Sequence, residues 1–189
     1  MKKFFLLPFT TLLLLALFSL PGPAFAASTQ QMVKMQQSHV HAHLAPTTAF
    51  QPAVTCSGNG CTGRDPVQTG CSATASTVLS GGIFNGSGQR IGTINLRFSS
   101  ACGTNWAQVV SSIGSVPLAA IVTRASGVDG PKVSECEPVS CNGFVVSTSA
   151  FTNMVWAPDV PALAGGEIQQ NGTNFFGCVT QDQSVLPCN

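Results

Sequence analysis

From Thr74 onward the chain alternates short apolar-rich runs with turns made of glycine, proline, asparagine and serine. The clearest run is Arg90 to Ser99. There Ile91, Thr93, Asn95, Arg97 and Ser99 stand opposite Gly92, Ile94, Leu96 and Phe98, the two-residue period of a strand. Thr74 to Phe84 leans the same way, and Asn85-Gly86-Ser87-Gly88 between the two runs is a hairpin turn. Further strands are expected over Asn105 to Ile113, Pro117 to Arg124, Phe144 to Phe151, Asn153 to Trp156, Glu167 to Gln170 and Phe175 to Thr180. Strands this short, spaced by turn residues, predict an all-β sandwich or small barrel of antiparallel strands. Helix signals are weak: Cys71 to Leu79 is long enough for two turns, but its Thr and Ser content disfavours helix.

The first 55 residues have a different texture. Lys2 and Lys3 precede an apolar run from Phe4 to Leu20, which Pro21-Gly22-Pro23 breaks, and Ala24-Phe25-Ala26 supplies the small residues of a cleavage site. This is the pattern of a Sec-type signal peptide over residues 1–26, short for an uncleaved membrane anchor. Residues 27–55 are rich in Gln, Thr, Ala and Pro and read as a disordered leader. Asn59-Gly60 and Asp65-Pro66 then mark a compact loop region, opening a single domain over residues 56–189.

Charge narrows the function classes. Without the signal peptide, Lys34, Arg64, Arg90, Arg97, Arg124 and Lys132 face seven acids, so the net charge moves from +1 to −1. Nucleic acid and an anionic membrane surface both require a basic footprint, and neither is expected as a partner. All eight cysteines (56, 61, 71, 102, 136, 141, 178 and 188) follow the signal peptide, an even number that reads as a disulfide framework. Eight cysteines allow 105 connectivities; spacing and turns suggest Cys56–Cys61, Cys71–Cys102, Cys136–Cys141 and Cys178–Cys188. On this reading Asp129-Gly130-Pro131 through Pro138 is an exposed loop stapled to itself, and the last pair pins the C-terminus. A zinc alternative would use Cys56-x4-Cys61 and Cys136-x4-Cys141 as thiolate pairs. An oxidising compartment, and the lack of any histidine beyond residue 43, count against it.

One ordered set of motifs resembles a known family. Cys56-x4-Cys61-x-Gly63-x-Asp65-Pro66 is followed by Gly70-Cys71 and Ala75-x-Thr77, then by Leu96-Arg97-x-Ser99-x-x-Cys102 and Trp106-Ala107. Together with Thr152-Asn153-Met154-Val155-Trp156-Ala157-Pro158 and Gly177-Cys178, these are similar to the YjfA-like family, a secreted bacterial domain of unknown function. The similarity spans roughly Cys56 to Thr180. It implies secretion, a small disulfide-bonded β domain and no known activity. Members usually carry Tyr where this chain has Phe98, and the cysteines at 136, 141 and 188 are additions. In some proteins a similar domain is attached to a helix-turn-helix part, which this chain lacks, so the resemblance hints at extracytoplasmic sensing or binding.

No catalytic constellation is visible. A nucleophile needs a base, and the domain has one lysine, no histidine and carboxylates without a motif. Asp65 reads as the cap of its own turn, and hairpin turns account for Gly81-Gly82, Gly86-x-Gly88 and Gly165-Gly166. No cofactor is expected. The positive expectation is a secreted, monomeric, non-catalytic binding module, extracellular or wall-associated, for a cell-envelope glycan or an envelope protein. Trp106 and Trp156 would be its aromatic faces, with Arg97 and Asn105 as polar partners, against the alternative that both indoles are core. A structural or surface-layer role is the second class, and a hydrolase without a recognisable motif the third. His39, His41 and His43 lie on one side of an extended chain, but no carboxylate or cysteine nearby completes a coordination shell. Alkylation of the secreted protein without reductant, read by mass spectrometry, is expected to label no cysteine beyond a trace; stoichiometric labelling of any of them would break the four-disulfide reading.

Overall fold

In a computed structural model the chain is described over residues 53–188. The segment expected as a signal peptide, nearly all of the expected leader and His39, His41 and His43 lie outside the described residues. The remainder is all-β, as the alternation predicts, and takes the form of a sandwich. Its strands are β1 (Ala75–Phe84), β2 (Arg90–Ser99), β3 (Thr104–Ser111), β4 (Val116–Arg124), β5 (Val133–Glu137), β6 (Val145–Ser147), β7 (Ser149–Phe151), β8 (Val155–Trp156), β9 (Ala162–Gln170) and β10 (Thr173–Thr180). The first sheet runs β1-β2-β3-β7, with β8 also on β3; the second runs β10-β9-β4-β5, with β6 also on β4. All pairings are antiparallel.

The β1–β2 hairpin shows how local chemistry sets register. Asn85 Oδ1 accepts from the backbone N–H of Ser87 at 3.1 Å and of Gln89 at 2.9 Å, and Gly88 takes φ +78°. An amide side chain and a glycine are the residues such a turn demands. Two residues fall outside the pairing, Val78 on β1 and Ile91 on β2. The second of these bulges corrects the simple alternation. Ile91 is not turned outward but lies fully buried in the same core as Ile94 and Leu96, because a bulge lets consecutive side chains share a face.

Between the sheets, Ile83, Ile94, Leu96 and Val109 of the first pack against Leu118, Val122, Ala164 and Ile168 of the second. Close approach depends on glycines inside strands rather than in turns. A Cβ on Gly92 would lie 2.7 Å from the Val110 carbonyl oxygen and closer still to Ile168 Cδ1. One on Gly166 would collide with Val109 Cγ2 and meet Ile94 Cδ1 at 3.1 Å. So Gly81-Gly82 and Gly165-Gly166 lie in β1 and β9, not in hairpin turns. The same cause hid the first half of β9: Ala162 to Gly166 has poor strand propensity, and only the facing sheet makes small residues favourable there.

Two more expectations are revised. The segment expected as an exposed loop contains β5, whose Cys136 is buried and which pairs with β4 from Ala120↔Glu137 to Arg124↔Val133. Short, charged edge strands share the composition of loops, so Ser134, Glu135 and Glu137 concealed it. The single strand expected over Phe144 to Phe151 divides at Thr148. β6 joins the second sheet and β7 the first, so this segment crosses between sheets and closes one edge of the sandwich.

A cap formed by residues 56–74 covers the outer face of β3. It contains two 3₁₀ turns, Gly58–Cys61 and Cys71–Thr74, the second standing where a short helix was weighed. Asp65 caps its own turn, accepting from the N–H groups of Val67 at 2.6 Å and Gln68 at 3.0 Å. Backbone bonds dock the cap onto the sheet: Gly58 N–H to Cys102 O at 2.9 Å, Gly63 N–H to Met154 O at 2.9 Å, and Met154 N–H to Arg64 O at 3.0 Å. The disulfides join Cys56 to Cys61, Cys71 to Cys102, Cys136 to Cys141 and Cys178 to Cys188, the pairs that spacing suggests. Cys61, Cys71 and Cys102 form a second small core with Trp106 and Met154.

Two stability measurements follow from this packing. Leu118→Ala, at a fully buried position, is expected to lose about 3 kcal/mol in urea unfolding, the cost of a cavity. Gly92→Ala should lose about 1–3 kcal/mol by overpacking, and a neutral result would contradict the sheet-to-sheet contact described here. Glu135 on β5 has its pKa raised by burial. The protonated form is therefore favoured on folding, so this group's contribution is fully present below the usual carboxylate range and is lost as pH rises through the raised value. Glu135→Gln should flatten that fall in a pH series of melting temperatures.

Candidate functional site

The residues singled out from the sequence occupy the cap and the strands beneath it. Trp106 is 4% exposed and Asn105 1%, so neither presents a surface to a ligand. Trp106 projects from β3 into the disulfide core, the internal role weighed against binding. Asn105 lies on the opposite face of β3; its Nδ2 donates to Arg97 O at 3.3 Å, and its Oδ1 is buried without a partner among the described residues. Arg97 is held on the sheet by donating to Thr77 Oγ1 at 2.7 Å and Ala75 O at 3.3 Å.

Trp156 is half-buried and pinned from several sides. Its backbone N–H donates to Thr62 Oγ1 at 3.0 Å, and its backbone carbonyl accepts from Arg124 Nη1 at 2.6 Å. The Arg124 guanidinium stands 6.0 Å from the ring centroid, near the outer limit of a cation–π contact. That arginine is only 3% exposed, and its Nε donates to Pro131 O at 3.1 Å. The four residues thus belong to neighbouring strands but not to one surface: Asn105 leaves the face of β3 opposite Trp106, and the side chains and backbone bonds around Trp156 brace the fold.

The concave surface lies elsewhere, on the outer face of the second sheet. Leu118, Ala120 and Val122 of β4 point inward, which turns Ala119 and Ile121 outward; on β9 the same alternation turns out Gly165 and Glu167. These small side chains form the floor of a groove of about 380 Å³. One wall is Phe176 and Asn174 of β10. The other is the turn after β5, with Pro138, Asn142 and Phe144, held by the Cys136–Cys141 disulfide and a Cys141 N–H bond to Pro138 O at 2.8 Å.

Phe176 is 53% exposed. Its ring lies on Gly165, where a Cβ would come within 3.2 Å of Cζ. The missing side chain lets the ring approach the sheet closely while more than half of it stays exposed at the groove. Glu137, at the end of β5, lines both this groove and a smaller hollow of about 370 Å³ bounded by Asp65, Ser147 and Ser149. The groove therefore offers two carboxylates, two carboxamides and aromatic rings, with no basic side chain among its lining residues. Sequence reasoning missed it because its parts come from β4, β5, β9 and β10, and no local motif joins them.

The two cysteine pairs weighed as a zinc site are not brought together. Instead the sulfur atoms of Cys56, Cys61, Cys71 and Cys102 all lie within 4.8 Å of one another. Among the described residues, no helix is long and apolar enough to cross a membrane.

Comparison with known proteins places this architecture. Residues 59–162, from the cap to the start of β9, match a family described as "Protein of unknown function (DUF2690)". The chain is also 32% identical over 102 residues to the "Uncharacterized protein YjfA" of Bacillus subtilis (strain 168). That alignment covers 51% of this chain and 63% of the relative, less than two thirds of its length. No solved structure matches. With more than half of its length accounted for, the chain belongs to the DUF2690 family of proteins of unknown function, as a YjfA-like domain.

Proposed function

We propose that this is a secreted, non-catalytic binding module whose groove on the outer face of the second sheet takes a neutral glycan of the cell envelope or extracellular matrix. The observation that carries the reading is the exposed ring of Phe176 in a groove lined also by Glu137, Glu167, Asn142 and Asn174. A sugar ring has an apolar face of C–H groups and an equator of hydroxyls. The first loses water against an aromatic ring, and the second needs acceptors and donors fixed in place, which carboxylates and carboxamides supply. Because the groove lining has no cationic side chain, nucleic acid and anionic lipid are poor candidates. Secretion rests on the N-terminal signal pattern and on four disulfides, which persist in oxidising compartments.

A second reading has one specific support. Glu137 and Glu167 line the same groove, and glycoside hydrolysis uses a pair of carboxylates across a cleft.

Co-sedimentation of the mature protein with purified cell walls and insoluble polysaccharides distinguishes these. The expected outcome is retention on at least one matrix, weakened about tenfold, or 1.4 kcal/mol, by Phe176→Ala with near-ultraviolet dichroism unchanged. Glu167→Gln should weaken retention without altering the melting temperature. Release of soluble reducing sugar that disappears in Glu137→Gln and Glu167→Gln would replace binding by hydrolysis. Retention on no matrix would overturn the glycan reading and bring a structural or protein-binding role forward.

A further inference from the structure

We infer that the four sulfurs beneath the cap form a redox-governed metal site. When both disulfides are reduced, Cys56, Cys61, Cys71 and Cys102 are placed to bind one zinc ion as a tetrathiolate. Their sulfur atoms already lie within 4.8 Å of one another, with Cys56 Sγ 3.8 Å from Cys71 Sγ across the two disulfides. A tetrahedral zinc with bonds of about 2.3 Å sets its sulfurs about 3.8 Å apart. Only small side-chain movements separate the two arrangements.

The surroundings suit a structural ion. Cys61, Cys71 and Cys102 are buried, and Trp106 and Met154 exclude water from the same cluster. Cys56 alone is half-exposed, giving reductant and metal a way in. A zinc tetrathiolate carries two negative charges. Arg97, in register with Trp106 and bonded to Thr77 Oγ1 and Ala75 O, is a cation on that face of the sheet. No histidine or carboxylate is needed to complete the shell, which distinguishes this group from the histidine run of the leader.

The disulfide and zinc forms are alternative ways of tying residues 56–74 to β3. Each disulfide is reduced to two thiols either by two thiols, which give up two electrons and two protons and close into a disulfide, or by a phosphine, which gives up two electrons and becomes the phosphine oxide while water supplies its oxygen and the two protons. Zinc then displaces the four thiol protons to solvent. Where thiols stay reduced, as when chain remains inside the cell, zinc would hold the cap that disulfides hold outside.

The test uses the mature protein with Cys136→Ser, Cys141→Ser, Cys178→Ser and Cys188→Ser, so that four cysteines remain. After reduction by a phosphine it is titrated with Co²⁺ and then Zn²⁺, each alone. The expected result is uptake of one Co²⁺ with the visible bands of a tetrahedral tetrathiolate, displaced by Zn²⁺, together with a native Trp near-ultraviolet signal. Cys61→Ser or Cys102→Ser should remove those bands. Should the four-serine protein not fold, the unsubstituted chain is reduced and titrated, with Cys136→Ser/Cys141→Ser as the control that leaves the bands unchanged. Absence of the bands, bands insensitive to Cys61→Ser, or bands without the native Trp signal would each overturn the proposal.

Discussion

Burial of β3 on both faces is the constraint from which the architecture follows. Thr104, Asn105, Trp106 and Ala107 are consecutive and all buried, which a strand achieves only when each of its faces is covered. The inward face meets the second sheet. The outward face has no sheet to meet, and the cysteine-rich cap supplies the cover. The cap is too short and too rich in glycine to hold itself there by burial alone. Its hold comes from backbone bonds to Cys102 and Met154 and from the Cys71–Cys102 disulfide.

Among the described residues the outer face of the second sheet carries no such cap, and the groove forms on it. Its floor is shallow because Ala119 and Gly165 are small, and its walls rise because Phe176 and the turn after β5 stand at either side. The Cys136–Cys141 disulfide lies at that wall.

Glycines inside strands connect the two halves of this account. Gly92 and Gly166 bring the sheets together on the inner side, while Gly165 lowers Phe176 onto the outer side of the same strand that carries Gly166. Adjacent residues thus serve opposite faces for the same reason, the absence of a Cβ. This also makes β9 difficult to recognise, because the residues that permit its contacts are those with the least strand propensity.

The amino-acid sequence by itself determined the fold class, the bounds of β2, the Asn85 hairpin, the Asp65 turn and the three short-range disulfides, Cys56–Cys61, Cys136–Cys141 and Cys178–Cys188. Each of these depends on periodicity, on a turn residue or on cysteines close in the chain, which are local quantities. Only the tertiary structure decided that Ile91 enters the core through a bulge, that β5 is a strand, and that Trp106 and Asn105 are interior. It also assembled the groove and the four-sulfur cluster. Those depend on which strands become neighbours and on which face each side chain leaves, and pairing partners 40 or 50 residues away leave no local mark in the sequence, on the order of the separation that links β3 to β7 and β8.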